Sequence, residues 1–312
     1  MSFPKRVRLV EVGARDGLQN EKTPVSADVK VDFINRLSRC GLATIEATSF
    51  VSPTWIPQLA DAEEVYRKID KVDGVAYPCL VPNEKGIERA IDCGVKEISV
   101  FTAASETFNQ KNINASIAES IERFKPVVEI AAQHNMRVRG YISCVLGCPY
   151  EGPIAPAQVA DVVSRLADLG CYEISLGDTI GVGTPLRAQR MLEAAAERAG
   201  MDRLAVHFHN TYSQALANLF ACLELGVSTI DASVSGLGGC PYAKGAAGNV
   251  ATEDVVYMLH GMSIETGVDF LKLLEVGDFI NGVLNRTTTS RIGSIPPKNR
   301  QRPERFDPTA VS

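Results

Sequence analysis

Leu169-Gly-Cys-Tyr-Glu-Ile-Ser-Leu176 is one of four copies of a short phrase in this sequence, and the other copies begin at Cys40, Cys93 and Leu225. In each copy a glycine follows a run with apolar positions at helical spacing, and a β-branched segment begins shortly after it. Glycine readily adopts the left-handed conformation that ends a helix, and β-branched residues favour strands. The phrase therefore predicts a unit of helix, glycine and strand that recurs along the chain.

Weaker signals between these copies complete a set of eight predicted strands. Eight strands that alternate with helices over roughly 250 residues are typical of the α/β class and predict a (β/α)8 TIM barrel. An open doubly wound sheet is the alternative. The predicted strands are residues 7–13, 44–50, 74–81, 97–104, 138–145, 172–178, 204–210 and 229–236.

Polar side chains on one face of two predicted strands favour the barrel over the open sheet. Strand residues two apart face the same side, so Glu46 shares a side with Thr44 and Thr48, and His207 shares one with His209. The mouth of a barrel can use such groups, whereas a sheet covered by helices on both faces would bury them without partners.

The barrel domain is predicted to span residues 1–287, including helices after the last strand. The remaining residues, 288–312, are polar and rich in proline. Segments of this kind at a chain terminus are commonly poorly ordered. We therefore expect one barrel domain followed by a flexible tail.

The composition bounds the class of protein. The 312 residues carry 32 basic and 37 acidic side chains, which gives a net charge of −5. Nucleic acids and anionic membranes are held by basic footprints, so neither is expected as the main partner. The sequence shows no apolar stretch of the roughly 20 residues that a membrane span needs, and no signal-peptide pattern. We expect a cytoplasmic protein that acts on a small molecule.

Two of the four histidines, His207 and His209, face the same side of the seventh predicted strand. Barrel enzymes keep their active sites at the carboxyl ends of the strands, and Arg15 and Asp16 follow the first strand to the same mouth. One carboxylate and two imidazoles would leave coordination positions open on a catalytic metal such as Mg²⁺, Mn²⁺ or Zn²⁺. Buried polar histidines and a surface Arg-Asp turn are the alternatives.

A glycine-rich segment, residues 236–249, follows the last predicted strand and contains Cys240 and Pro241. Pro241 stands where a dinucleotide-binding fingerprint needs a glycine, and the segment has no phosphate-binding GK[ST]. A lid that brings the Cys240 thiol over the site is the functional interpretation, and a flexible connector is the alternative. A thiol with an ordinary pKa of about 8.5 is mostly protonated at neutral pH, so Cys240 could donate a proton.

Two further carboxylates are candidates for roles at the site. Asp178 ends the sixth predicted strand, and Glu46 lies inside the second. Both suit proton handling or the support of a ligand. A helix cap or a turn is the alternative for Asp178, whereas Glu46 needs a buried partner if it lies inside a barrel.

The sequence resembles the 3-hydroxy-3-methylglutaryl-CoA lyase family over nearly the whole chain to about residue 287. The stretches that carry the resemblance are VEVGARDGLQNEK, IEATSFVSP, RGYISCVLGCPYEG, CYEISLGDTIGVGTP and the highly specific SVSGLGGCPYAKGAAGNVATED. Two positions depart from the family pattern: Ala14 stands where a proline is expected, and Asn210 stands where an aspartate is usual. The asparagine is similar to that of related acyl-CoA-condensing synthases.

The resemblance implies a set of site residues. The ligands of a divalent cation, Mg²⁺ or Mn²⁺, would be Asp16, His207, His209 and Asn249. Arg15 would contact the substrate, and Cys240 would be the catalytic thiol of the loop. Glu46 and Asp178 fall where family carboxylates support the site.

The implied reaction is the cleavage of 3-hydroxy-3-methylglutaryl-CoA to acetoacetate and acetyl-CoA, a step of leucine and ketone-body catabolism. The tertiary hydroxyl would lose its proton to His207 or a carboxylate, Arg15 would stabilise the enolate, and Cys240 would protonate the enolate carbon. A lyase for a longer homologue such as the isohexenyl substrate, a condensing synthase and a non-catalytic metal-binding protein are the alternatives. We also expect a homo-oligomer, in the first instance a dimer.

Overall fold

The computed structural model describes residues 3–239 and 248–306. Its strands form one parallel sheet: β1 (Arg8–Glu11), β2 (Thr44–Ile45), β3 (Thr48–Ser49), β4 (Cys79–Leu80), β5 (Glu97–Ala103), β6 (Arg137–Ser143), β7 (Glu173–Asp178), β8 (Leu204–Phe208) and β9 (Thr229–Ala232). The order of the strands in the sheet is β2, β1, β9, β8, β7, β6, β5, β4, β3.

β2 and β3 are the two halves of the predicted second strand, and together they close the sheet into a barrel. The Glu46 amide donates to the Glu11 carbonyl of β1 at 2.9 Å. The next amide, of Ala47, donates to the Pro78 carbonyl just before β4, also at 2.9 Å. Pro78 has no N–H to return a bond, so the ladder is interrupted there and the predicted third strand is reduced to β4. The predicted (β/α)8 barrel is confirmed, with its second strand in two pieces.

The helices lie outside the barrel. They are α1 (Ala27–Ser38), α2 (Ala62–Lys68), α3 (Glu84–Asp92), α4 (Glu106–Ile113), α5 (Ile117–Gln133), α6 (Pro156–Asp168), α7 (Pro185–Ala199), α8 (Ala215–Glu224), α9 (Thr252–Gly261) and α10 (Phe270–Leu284). None of the described helices is long and apolar enough to span a membrane.

Each copy of the repeated phrase forms the predicted unit. Its glycine has a φ between 76° and 102° in all four copies, a left-handed backbone that glycine tolerates without steric cost. The strand begins three residues after each glycine, at Thr44, Glu97, Glu173 and Thr229.

The first and last predicted strands end earlier than the sequence suggested, and turns follow them at the barrel mouth. A π-helical turn, Gly13–Gly17, follows β1, and a 3-10 turn, Val234–Gly236, follows β9. The buried Glu11 carboxylate accepts hydrogen bonds from the Gly13 amide at 2.8 Å and the Val234 amide at 2.9 Å. Glu11 therefore binds both turns, and it fixes the position of the Arg15-Asp16 pair.

The two faces of the strands differ in polarity. Outward-facing residues pack against the helices, and Ile174, Val206 and Phe208 are fully buried there. Inward-facing residues on the same strands include Ser175 and His207, because side chains alternate along a strand.

The described residues after α10, up to residue 306, lie against the barrel. Ser290 is buried and donates its hydroxyl to Asp254 of α9 at 2.7 Å. Arg300 donates through both Nη atoms to the Asp278 carboxylate of α10, at 2.6 and 2.7 Å. These bonds connect the polar segment after α10 to the last two helices.

Candidate active site

Three predicted metal ligands come together at the carboxyl ends of the strands. His207 belongs to β8, His209 follows it, and Asp16 lies in the turn after β1. Each offers a ligand atom, and these atoms lie within 4.8 Å of one another. One oxygen and two nitrogens at this spacing can hold a divalent cation with positions left open.

Asp16 is held as a carboxylate by its neighbours. Arg15 Nη1 lies 3.0 Å from Asp16 Oδ1, and Asn249 Nδ2 donates to Asp16 Oδ2 at 2.7 Å. Burial alone would raise the pKa of Asp16, but the charges of Arg15 and the two histidines bring it below its ordinary value. The carboxylate is thus in the ionised form that binds a cation.

The two histidine rings lie in different environments. His207 Nδ1 lies 3.3 Å from Asp231 Oδ2, and His207 Nε2 lies 4.0 Å from Asp16 Oδ2. Burial alone would lower the pKa of His207, but the hydrogen bond and charge of Asp231 raise it above its ordinary value. Burial and the neighbouring His207 lower the pKa of His209 to about 4, so the His209 ring is neutral, as metal binding requires.

A polar atom of His209 supports a metal at this position. His209 Nδ1 is buried and has no hydrogen-bond partner among the described residues. A buried polar atom without a partner is costly, and a cation would satisfy it. The donor set and this nitrogen both fit a divalent cation.

Arg15 and Glu46 form an ion pair inside the mouth. Arg15 Nε lies 2.6 Å from Glu46 Oε2, and Glu46 is fully buried on the inner side of the barrel. Burial raises the pKa of Glu46, although the charge of Arg15 opposes the shift. The partner that a buried Glu46 requires is therefore Arg15, and the pair fixes the guanidinium beside Asp16.

Asn249 reaches the site through pairing with the end of β8. An antiparallel bridge joins His209 and Asn249, and the Asn210 amide donates to the Gly248 carbonyl at 3.1 Å. A Cβ on Gly248 would lie 2.3 Å from the Gly238 carbonyl oxygen, so the two ends of the glycine-rich segment are in contact. Asn249 touches Asp16 through its amide nitrogen, while Cys240 lies outside the described residues.

Asp178 and Asn210 are hydrogen-bonded to nearby backbone. The Asp178 carboxylate, at the end of β7, accepts from the amides of Val182 at 3.2 Å and Gly183 at 2.8 Å. Burial raises the pKa of Asp178 to about 6. Asn210 Oδ1 accepts from the Ala215 amide at 3.2 Å, so it caps the start of α8, which an aspartate oxygen could do equally.

The sequence interpretation missed a buried charged cluster below the metal ligands. Arg139 lies between Asp231 and Glu173, at 2.7 Å from Asp231 Oδ1 and 2.6 Å from Glu173 Oε1. The Ser175 hydroxyl donates to Asp231 Oδ2 at 2.7 Å. Charged residues at inward-facing positions of predicted strands were the signal available in the sequence.

Two curated relatives of this chain carry the name of the same lyase. Hydroxymethylglutaryl-CoA lyase, mitochondrial, of Macaca fascicularis is 58% identical over 291 residues, which cover 93% of this chain and 90% of the relative. 3-Hydroxy-3-methylglutaryl-CoA lyase, cytoplasmic, of Rattus norvegicus is 56% identical over 298 residues, which cover 96% of this chain and 87% of the relative.

Solved structures agree with these relatives. Hydroxymethylglutaryl-CoA lyase from Pseudomonas aeruginosa superposes with a TM-score of 0.92 at 57% identity, and 93% of this chain and 97% of that chain are covered. An HMG-CoA lyase from Acinetobacter baumannii in complex with coenzyme A and 3-methylmalate has a TM-score of 0.91 at 36% identity. The match covers 97% of this chain and 99% of that chain. A family model described as HMGL-like matches residues 6–280. The resemblance read from the sequence motifs is confirmed: the chain belongs to the HMGL-like family of hydroxymethylglutaryl-CoA lyases.

Proposed function

We propose that this protein cleaves 3-hydroxy-3-methylglutaryl-CoA into acetoacetate and acetyl-CoA. The observation that carries the proposal is the cluster of Asp16, His207 and His209 at the barrel mouth with Arg15 beside it. Relatives that are more than half identical to this chain carry the name of this lyase, and a family structure contains coenzyme A. An acyl-CoA is therefore the proposed substrate.

The proposed cofactor is Mg²⁺ or Mn²⁺, held by Asp16, His207, His209 and Asn249. When bound, the cation would supply Lewis acidity toward the substrate oxygens. Asn249 would have to turn its Oδ1 toward the cation, because its amide nitrogen donates to Asp16 in the structure. Asp16 would keep its charge, because the guanidinium of Arg15 lies 3.0 Å from its Oδ1.

Arg15 is the proposed group that stabilises the developing enolate oxygen. Cleavage of the bond between C2 and C3 leaves a carbonyl on acetoacetate and an enolate on the acetyl-CoA fragment. A guanidinium that is already oriented needs no rearrangement as this charge forms, which is the source of such catalysis. Glu46 is the proposed positioning residue, because its ion pair with Arg15 Nε leaves the Nη atoms on the side of Asp16.

Two proton transfers complete the proposed reaction. The tertiary hydroxyl loses a proton to His207 or to a carboxylate such as Asp178, whose pKa of about 6 suits exchange near neutral pH. The enolate carbon gains a proton from the Cys240 thiol. Cys240→Ser should lower turnover by about 10²–10⁴-fold, because a hydroxyl is a far weaker acid. Turnover of Cys240→Ser close to that of the wild type would assign the donor role to another group.

The direct test is a product assay. Purified protein is incubated with Mg²⁺ and 3-hydroxy-3-methylglutaryl-CoA, and acetoacetate is measured enzymatically. Asp16→Asn should abolish the product, whereas Asp32→Asn should not, because Asp32 is half-exposed and its ion pair among the described residues is with Arg36 on its own helix. Absence of acetoacetate with the wild type at saturating Mg²⁺ and Mn²⁺ would refute the proposal.

Two further assays separate the alternatives. The isohexenyl homologue of 3-hydroxy-3-methylglutaryl-CoA is offered as a competing substrate. If it is cleaved faster than 3-hydroxy-3-methylglutaryl-CoA, the longer homologue is the substrate. Acetyl-CoA is offered together with 2-oxo acids, and release of free CoA would instead indicate a condensing synthase.

The expected dimer and cytoplasmic location stay part of this proposal. Light scattering after gel filtration measures the mass of the assembly against the 33.6 kDa of one chain. Cell fractionation tests the location, since relatives with mitochondrial and with cytoplasmic names both occur.

A further inference from the structure

A carboxylate below the metal ligands determines how His207 is oriented. Asp231 lies on β9 directly opposite His207 of β8 in the parallel register. Its Oδ2 lies 3.3 Å from His207 Nδ1, and it is fully enclosed in the barrel, at 1% exposure. An ionised carboxylate only accepts hydrogen bonds, so this contact requires the proton of the neutral ring to be on Nδ1.

Asp231 is itself held in one position by three donors. Arg139 Nη2 donates to Asp231 Oδ1 at 2.7 Å, and Arg139 Nη1 donates to Oδ2 at 3.1 Å. The Ser175 hydroxyl donates to Oδ2 at 2.7 Å. The bidentate contact with Arg139 keeps the Asp231 carboxylate charged and fixes its plane.

We propose that Asp231 is a positioning residue of the metal site, which holds His207 with Nδ1–H toward the barrel interior and the lone pair of Nε2 toward Asp16. The inference rests on the proposed metal site. It adds that the orientation and the proton position of the ligand are set by a carboxylate deeper in the barrel, whose described contacts are with Arg139, Ser175 and His207.

This arrangement also bears on the base of the reaction. One ring nitrogen of His207 lies against Asp231, and the other would be directed to a bound cation. With the metal bound, His207 would have no free nitrogen to accept the proton of the substrate hydroxyl. Of the two candidate bases proposed above, this arrangement favours the carboxylate over His207.

The test compares two substitutions of carboxylate by amide in the same buried cluster. Asp231→Asn removes the charge that faces His207. Glu173→Gln removes the charge on the other side of Arg139, where Glu173 Oε1 lies 2.6 Å from Arg139 Nε, and the described contacts of Glu173 do not include His207. Both variants remove one negative charge next to the same guanidinium.

Mn²⁺ affinity is the first readout, measured by the loss of the electron paramagnetic resonance signal of the free ion. Loss of a carboxylate behind a ligand histidine typically weakens metal binding about 10–100-fold, and this is the result expected for Asp231→Asn. Glu173→Gln should stay within about twofold of the wild type, because it does not act on the ligand. Equal losses in both variants, or no loss in Asp231→Asn, would overturn the proposal.

The proton position is the second readout, and it needs no substitution of Asp231. The chain has four histidines, so ¹⁵N labelling of histidine gives a small spectrum in which His207 is assigned by its loss in His207→Gln. Metal-free wild type, at a pH where the ring is neutral, should show the form protonated on Nδ1. A ring protonated on Nε2 would overturn the proposal even if Asp231→Asn failed to fold.

Neither readout uses turnover. A protein that binds Mn²⁺ with the expected dependence on Asp231, yet does not cleave 3-hydroxy-3-methylglutaryl-CoA, would refute the proposed function and support this inference. A wild type that binds no Mn²⁺ would refute the metal-site part of the inference.

Discussion

The inner and outer faces of the barrel strands are both buried but differ in chemistry. On β8, Val206 and Phe208 face the helices with no exposed surface, while the alternate residue His207 faces the lumen. On β6, Arg139 is also fully buried in the lumen. TIM barrels usually fill this space with branched apolar residues. Burial therefore does not separate a stabilising face from a functional one, whereas polarity and pairing do.

The two faces also contribute differently to stability. Apolar side chains on the outer face gain roughly 25 cal/mol for each Å² removed from water. A buried ion pair such as Arg139 with Asp231 is weak evidence for stability, because desolvation offsets the attraction between the charges. The helices and the outer face thus stabilise the fold, and the lumen carries groups that the fold alone would not need.

The largest expected effect comes from leaving lumen charges without a partner. Arg139→Met removes the cation that Asp231 and Glu173 share. Breaking one side of a buried ion pair typically costs about 3–5 kcal/mol, so the free energy of unfolding in urea should fall by about this amount. Arg165→Met is the control, since Arg165 pairs with Asp161 at the surface and such pairs contribute at most about 1 kcal/mol. Similar unfolding of both variants would mean that the lumen charges are hydrated rather than paired.

A lumen residue at the mouth should affect catalysis more than folding. Arg15→Gln should lower kcat by about 10²–10³-fold, which is typical of losing one oriented donor to a developing oxyanion. Arg36→Gln, on the outer surface of α1, should leave kcat unchanged. An unchanged kcat with a raised KM in Arg15→Gln would mean that Arg15 binds substrate without stabilising the transition state.

Metal binding should raise the stability of the folded protein through the ligands at the barrel mouth and not through the outer face. Mn²⁺ at about 100 times its Kd should raise the free energy of unfolding by about 2.7 kcal/mol, because only the folded state holds the site. The increase should vanish in Asp16→Asn and persist in Asp32→Asn. An increase that survives in Asp16→Asn would locate the bound ion elsewhere on the protein.

Much of the fold could be predicted because its signals are local. The glycine that ends a helix and the strand three residues later depend on neighbours in sequence, and all four units formed as expected. The shared face of His207 and His209 follows from the period of a strand. The need of a buried Glu46 for a partner followed from desolvation, and the partner is Arg15.

The rest depends on contacts across the barrel. Alternation along a strand shows that Asp231 faces the lumen, but it does not show that Arg139, 92 residues away, is its partner. The ladder is interrupted between β2 and β3 because Pro78, just before β4, has no N–H to donate. The sequence of the second strand alone does not reveal this. Such features require the register of the closed sheet.

The smallest expected effect sharpens the comparison at two consecutive residues of β7. Ile174 faces the helices and Ser175 faces the lumen, and both are fully buried. Ile174→Val should destabilise the protein by about 0.5–1.5 kcal/mol through the lost methylene, and Ser175→Ala should cost about the same through the lost hydrogen bond to Asp231. Urea unfolding should thus hardly distinguish the two variants.

Mn²⁺ affinity should distinguish these variants, because only Ser175→Ala loosens the carboxylate that holds His207. We expect binding about tenfold weaker or less in Ser175→Ala, and binding equal to that of the wild type in Ile174→Val. The two variants differ by one position in the chain and have equal burial and similar stability, so neither general weakening of β7 nor partial unfolding can produce the difference. If Ile174→Val weakens Mn²⁺ binding as much as Ser175→Ala, the metal site responds to packing in general. The claim that the outer face stabilises the fold while the inner face supports the metal site would then be wrong.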